Sequence, residues 1–204
     1  MDHLVLGFPD LERGIEEVAA QTGVRAALGG SHPGRGTHNA LLGLGGRQYL
    51  ELIARDPAQP ASTPLMFDGL EGISGPRFVS WAEAVTDLDD VARRARTAGL
   101  DIAGPAAGSR ARGDGRLLTW QTLGVRGEGL DLLPFFIAWG SDTPHPSQDS
   151  PAGLTLKSFR IAHPQADLMT RVLTTLGVKA DVVDGPAARL TAIVEGPKGT
   201  VTLG

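Results

Sequence analysis

The chain has 204 residues, 41% apolar and 21% charged, with no cysteine. That length buries a sizeable core as one large domain or two small ones, and the missing thiols exclude disulfides, thiolate metal sites and cysteine nucleophiles. A net charge of −4 without a basic stripe argues against a nucleic-acid partner, no apolar run approaches a membrane span, and Met1-Asp2-His3 lacks the basic flank of a signal peptide; a cytoplasmic protein with no membrane partner is expected.

Residues 1–56 read as one unit of strand, helix and three strands. In Asp2-His3-Leu4-Val5-Leu6, Leu4 and Leu6 share one face and His3 and Val5 the other. Phe8-Pro9-Asp10 opens a helix whose apolar stripe is Leu11, Ile15, Val18 and Ala19, with Glu12, Arg13, Glu16 and Glu17 toward solvent and Gly23 at its end. Short strands are expected over 24–28, 38–44 and 48–53, with the loop Gly29 to Gly36 before the second. On the last, Leu50 and Leu52 face the helix, while Tyr49, Glu51 and Ile53 look the other way. By this parity His3 and Glu51 project together from the concave face. A histidine and a carboxylate there suit either divalent-metal binding or general acid and base work.

Residues 55–76 form a proline-containing connector. A second unit spans residues 76–139: a strand over 78–85, a helix with Asp87 or Thr86 as N-cap and Leu88, Val91, Ala92 and Ala95 inward, a Gly/Arg loop from Gly104 to Gly115, and strands over 116–123 and 130–138. Its closing strand carries Leu132, Leu133, Phe135, Phe136 and Ile137, where the first carries Glu51. The connector Trp139 to Gly153, rich in Pro, Ser and Asp, is expected to be exposed and mobile. A third, divergent unit spans residues 154–204, with a helix bearing Leu168, Met169, Val172, Leu173 and Leu176 and ending at Gly177, and short strands around it. Three units of one design imply duplication. The fold class is then α+β, with repeated βαβββ units forming a curved, half-closed mixed sheet and helices on its outer face. An odd unit must cover the other two or pair with another chain, so a homodimer is expected.

The element order, with Asp2-His3-Leu4-Val5-Leu6, Pro9-Asp10-Leu11, Thr22-Gly23-Val24 and Tyr49-Leu50-Glu51-Leu52-Ile53, resembles the vicinal oxygen chelate superfamily of glyoxalase I, extradiol dioxygenases and the bleomycin resistance proteins. The stretch His32-Pro33-Gly34-Arg35-Gly36-Thr37-His38-Asn39-Ala40-Leu41 is more specifically similar to its glyoxalase-like domain proteins. The resemblance implies a glyoxalase/bleomycin resistance type fold and a divalent metal (Zn, Ni, Mn or Fe) held by one ligand from the first and one from the last strand of each of two paired units. His3 and Glu51 match those positions in the first unit. In the second, matching Asp87 to Asp10 puts Ser80 where His3 stands, and the closing strand offers apolar residues, so half of the four-ligand set is present.

Further candidates are weighed against plainer roles. His38 supplies another ligand or base if it faces inward, which its alternation with Ala40 and Leu42 leaves open. His32 and Arg35, in a glycine-containing loop, suit an anionic substrate, although surface arginines are commonly just solvated. Tyr49 shares the face of Glu51. Arg110, Arg112 and Arg116 suit a lid over an acidic ligand, with a solvated loop as the alternative. Trp81, Glu83 and Trp120 are placed to line the second unit's concave face, where core packing accounts for either tryptophan equally well. Two functions follow: a glyoxalase-like enzyme acting on a carbonyl or hydroxy-acid metabolite, or a non-catalytic protein that sequesters a small molecule in the same cavity.

Overall fold

The computed structural model describes residues 1–111 and 117–204. Arg112 and Arg116, two of the expected lid arginines, lie outside the described residues. The first stretch folds as β1 (His3–Gly7), α1 (Leu11–Thr22), β2 (Ala27–His32), β3 (Thr37–Gly43) and β4 (Tyr49–Arg55). The second gives β5 (Arg77–Ala84), α2 (Leu88–Thr97), β6 (Asp101–Ala111), β7 (Leu117–Arg126) and β8 (Phe135–Trp139). The third gives β9 (Thr155–His163), α3 (Ala166–Leu176), β10 (Asp181–Asp184), β11 (Arg189–Gly196) and β12 (Gly199–Leu203). Local chemistry sets the helix ends. The carboxylates of Asp10 and Asp87 accept from the backbone N–H groups of Arg13 and Asp90, and Gly23 ends α1 in the left-handed region at φ 84°.

Eight strands form one mixed sheet in the order β2-β3-β4-β1-β5-β8-β7-β6. In each half the first strand lies parallel to the last, β1 to β4 and β5 to β8, and the halves join through antiparallel β1 and β5. The sheet curls so far that the Arg110 side chain of β6 reaches β2: a methyl group added at Gly29 on β2 would lie 2.7 Å from Nη1 of Arg110. Part of the expected Gly/Arg loop is strand, since 101–111 pairs with β7.

The outward face carries the core. Leu4, Leu6, Leu50 and Leu52 are buried with Leu11, Ile15 and Val18 of α1, and the same cluster continues through Leu88, Val91 and Ala95 of α2. A smaller inward cluster of Val5, Ile53 and Leu70 gathers Leu65, Met66, Phe67 and Phe135. The connector after β4 thus plugs the concave side.

The third unit departs from the expected repeat. Its sheet runs β10-β9-β11-β12, with the first strand between the second and third and the last at the edge. β1 and β5 find one neighbour in each other, whereas β9 draws both neighbours from its own unit. Ile161, Met169, Leu173, Leu190 and Val194 join the main core, α3 meets α2, β12 meets α1, and Phe159 packs on Trp81 with ring centroids 5.1 Å apart. The odd unit covers the other two within one chain, so the count of units gives no reason for a homodimer. No helix among the described residues is long and apolar enough to cross a membrane.

Candidate functional site

The concave face encloses a cavity of about 690 Å³. Strand alternation decides which residues reach it. Tyr49 and Glu51 of β4 line it while Leu50 and Leu52 lie under α1, and His3 lines it while Leu4 does not. His3 and Glu51 meet there, with Nε2 of the imidazole 3.7 Å from Oε2 of the carboxylate. Both residues are buried, and the His3 ring stacks on Tyr49 at 4.4 Å and meets the edge of Phe135 at 5.4 Å.

Each of the two is held from behind. Asn39 Nδ2 donates to Glu51 Oε1 at 2.6 Å, and also lies 3.2 Å from His32 Nε2. An amide N–H₂ only donates, so His32 Nε2 accepts and its Nδ1–H points to Thr37 Oγ1 at 2.8 Å. Burial pushes the His32 pKa below its ordinary value, against the pull of Glu51 and with Arg110 and Arg35 adding to the depression, so this ring is neutral near pH 7. On the other side Asp2 Oδ1 takes the Nδ1 of His3 at 2.7 Å, and its Oδ2 takes Nε2 of His145 at 2.9 Å and Nε1–H of Trp139 at 3.0 Å. Burial alone raises the Asp2 pKa, but the hydrogen bonds of His145 and His3, the electrostatic attraction to His3 and the Trp139 bond outweigh it and hold the carboxyl well below the usual range. Burial, with the Glu51 and Asp2 charges, pushes the Tyr49 phenol well up, so it remains a donor.

Several expectations change. Asn39 and Leu41 of β3 face the cavity, so His38 shares the outward side of Ala40 and Leu42 and does not line it. Trp81 also turns outward. The ladder pairs it with Leu4, it is buried in the main core, and its Nε1–H donates to the Leu132 carbonyl at 2.8 Å. A bulge at Val79 brings Val79 and Ser80 to the inward side together, so Ser80 lines the cavity while Phe78 lies in the main core. Glu83 pairs with the chain amine at 2.7 Å. His32, Arg35, Arg110 and Trp120 all line the cavity, with Arg35 exposed.

Three residues of the site were not singled out from the sequence: Asp2, Asn39 and His145. Asn39 lies two positions before Leu41 on a strand whose facing was undecided. His145 belongs to the connector expected to be exposed, yet it is buried with Pro146 beneath the sheet. A proline-rich stretch carries no periodicity that announces such burial.

The donor set does not fit a resident metal. His3 Nε2 and Glu51 Oε2 are two ligands, the matching positions of the second half hold Ser80 and Phe135, and among the described residues no group of three or more His, Cys, Asp or Glu side chains gathers. Two protein ligands seldom hold a catalytic ion.

A curved sheet of two βαβββ halves, helices outside and a polar cluster within, defines the vicinal oxygen chelate superfamily. Within it, the family described as glyoxalase-like domain matches residues 1–177, and the chain belongs to that family. No curated protein matches the sequence. Among solved structures, a hypothetical protein from Staphylococcus aureus is 16% identical with a TM-score of 0.74, covering 97% of this chain and 91% of that one. A hypothetical protein from Bacillus halodurans is 12% identical with a TM-score of 0.50, covering 71% and 96%. Methylmalonyl-CoA epimerase from Mycobacterium tuberculosis is 21% identical with a TM-score of 0.44, covering 72% and 89%. Identities of this size speak to fold and not to chemistry.

Proposed function

We propose that the protein is a small-molecule enzyme of the glyoxalase-like kind that moves a proton at the carbon beside the carbonyl of an acid or hydroxy-acid metabolite. The observation that carries this reading is the facing of His3 Nε2 and Glu51 Oε2 across 3.7 Å inside the half-open cavity of the concave face. Glu51 is the base: Asn39 occupies its Oε1 and leaves Oε2 toward the cavity. As the proton leaves, negative charge grows on the carbonyl oxygen, and the protonated Tyr49 phenol on the same wall is a donor suited to it. His3 is the partner that exchanges the proton with Glu51. Arg35 at the rim, with His32 behind it, suits the substrate's carboxylate. No step needs a metal, and the reaction is expected to persist in chelator.

A second reading, a non-catalytic sequestering protein, is favoured by the apolar lining of the second half, with Leu133, Phe135, Ile137 and Trp120 on the cavity wall. One experiment separates the two. A panel of 2-oxo acids, 2-hydroxy acids and their esters is incubated with the protein in D₂O, and loss of the α-proton is followed by NMR. Exchange that falls about 10²–10⁴-fold in Glu51→Gln, with ligand binding retained, supports the enzyme. Tight binding of a compound whose α-proton never exchanges overturns it in favour of sequestration.

A further inference from the structure

The connector between the second and third units reaches the cavity through two buried side chains, and the direction of every hydrogen bond along that path is fixed. The backbone N–H of Ser147 can only donate, and it points at Nδ1 of His145 at 3.3 Å, so the Ser147 hydroxyl, 2.8 Å from the same nitrogen, donates to it as well. His145 Nδ1 is therefore an acceptor, and the ring carries its proton on Nε2, which lies 2.9 Å from Asp2 Oδ2. The Trp139 indole, also a pure donor, reaches the same oxygen at 3.0 Å. Asp2, only 1% exposed, has one oxygen left, and an ionised carboxylate has no hydrogen to give. The remaining bond, 2.7 Å to Nδ1 of His3, must be donated by the imidazole. That places the lone pair of His3 on Nε2, facing Glu51 and the cavity. Stacking on Tyr49 and the edge of Phe135 prevent the ring from turning to offer its other nitrogen.

We infer that Asp2 is a positioning residue: clamped by His145 and Trp139, it locks His3 in the Nδ1–H tautomer so that an unprotonated Nε2 faces the reacting proton. This rests on the reading of the cavity as a proton-transfer site, but its central claim concerns the free protein. The same logic holds histidines in place at metal centres, where loss of the supporting partner costs about 10–100-fold, and in nucleophilic triads, where it costs about 10⁴-fold. It also gives the chain between β8 and β9 a task. The path Ser147, His145, Asp2, His3 makes the cavity's histidine depend on a stretch well over a hundred residues away in sequence.

The test is ¹⁵N–¹H correlation spectroscopy of the histidine rings in the unliganded protein at about pH 8, where an ordinary imidazole is neutral. The expected spectrum has His3 as the Nδ1–H tautomer and His145 as the Nε2–H tautomer. A proton on Nε2 of His3 overturns the proposal. In Asp2→Asn, which offers a donor where the carboxylate offered none, His3 is expected to lose its single tautomer, and α-proton exchange to lose about 10–100-fold in kcat with KM little changed. A variant that exchanges at the wild-type rate with His3 unaltered also overturns it. Should Asp2→Asn fail to fold, the wild-type spectrum still decides. Trp139→Phe, which leaves the His3 bond in place, is expected to keep the tautomer. The correct tautomer in a protein that exchanges no α-proton leaves Asp2's role standing and removes the functional reading alone.

Discussion

Glu51 and Phe135 stand at the same place in two halves of one sheet. Opposite Glu51 in the ladder between first and last strands lies Val5; opposite Phe135 lies Ala82. The match of His3 with Ser80 carries Val5 onto Ala82, so the register itself superposes the two positions. The same shift carries Leu4 onto Trp81, and both are fully buried on the outer side. The halves therefore agree where they meet helices and the third unit, and differ where they meet the cavity. The lesson is physical. Outward positions are constrained by close packing, in which any lost volume costs stability, while an inward position beside a cavity accepts a carboxylate or a phenyl ring with the backbone unchanged.

The largest expected effect tests the outward side. Trp81 fills the space between β5 and Phe159 of the third unit and donates to the Leu132 carbonyl, so Trp81→Ala removes a large buried side chain and orphans an acceptor. The expected loss is about 3–5 kcal/mol in chemical denaturation, with the cavity's ligand affinity unaltered in the folded fraction. A loss below about 1 kcal/mol would contradict the packing role. The inward side predicts the reverse kind of change, a gain of chemistry. Ser80→His with Phe135→Glu supplies the two ligand types missing from the second half, and the double variant is expected to bind Zn²⁺ or Ni²⁺. Its melting point should rise with metal, by about 2.7 kcal/mol of stabilisation at a hundredfold excess over Kd, while the wild type responds far less. If neither protein responds, the two halves differ in more than these side chains.

Much of this design was legible from period-two alternation. The pairing of Leu4 with Leu6 and of Leu50 with Leu52 set the helix-facing side of β1 and β4, and with it the meeting of His3 and Glu51. Where every residue of a strand is apolar or ambiguous, alternation is silent. The run His38 to Leu44 gave no polar face to orient it, so the inward turn of Asn39 and the outward turn of His38 came only with the register against β4. Parity also failed at β5, because the extra residue Val79 shifts the phase and turns Trp81 away from the side it was placed on. His145 is the extreme case. Its burial depends on long-range packing against Asp2, to which no local pattern refers.

The two connectors sharpen the comparison further, since both hold cavity residues of the first half. The chain after β8 holds His3 through His145 and Asp2. The chain after β4 holds the loop that carries Arg35: Gln59 Oε1 accepts from the N–H groups of Gly34 and Gly36, and its amide donates to the His32 carbonyl and to Asp56. Asp56 in turn accepts from Ser31 Oγ at 2.5 Å and from the Ala58 N–H at 2.9 Å. The Ser31 bond above all, against the effect of burial and with help from Gln59 and Ala58, lowers the Asp56 pKa from 3.8 to about 2. A carboxyl whose pKa is depressed on folding adds stability that is fully present above its unfolded value and is lost as pH falls through the folded one. Asp56→Asn should therefore be less stable than wild type by about 1–2 kcal/mol at pH 7 and pH 5, and the gap should narrow from about pH 4 downward as the wild-type carboxyl takes up its proton. Urea unfolding across that range measures it. A gap that stays constant into acid would mean that Asp56 acts through the shape of its hydrogen bonds alone, and that its charge contributes nothing to holding the Arg35 loop at the mouth of the cavity.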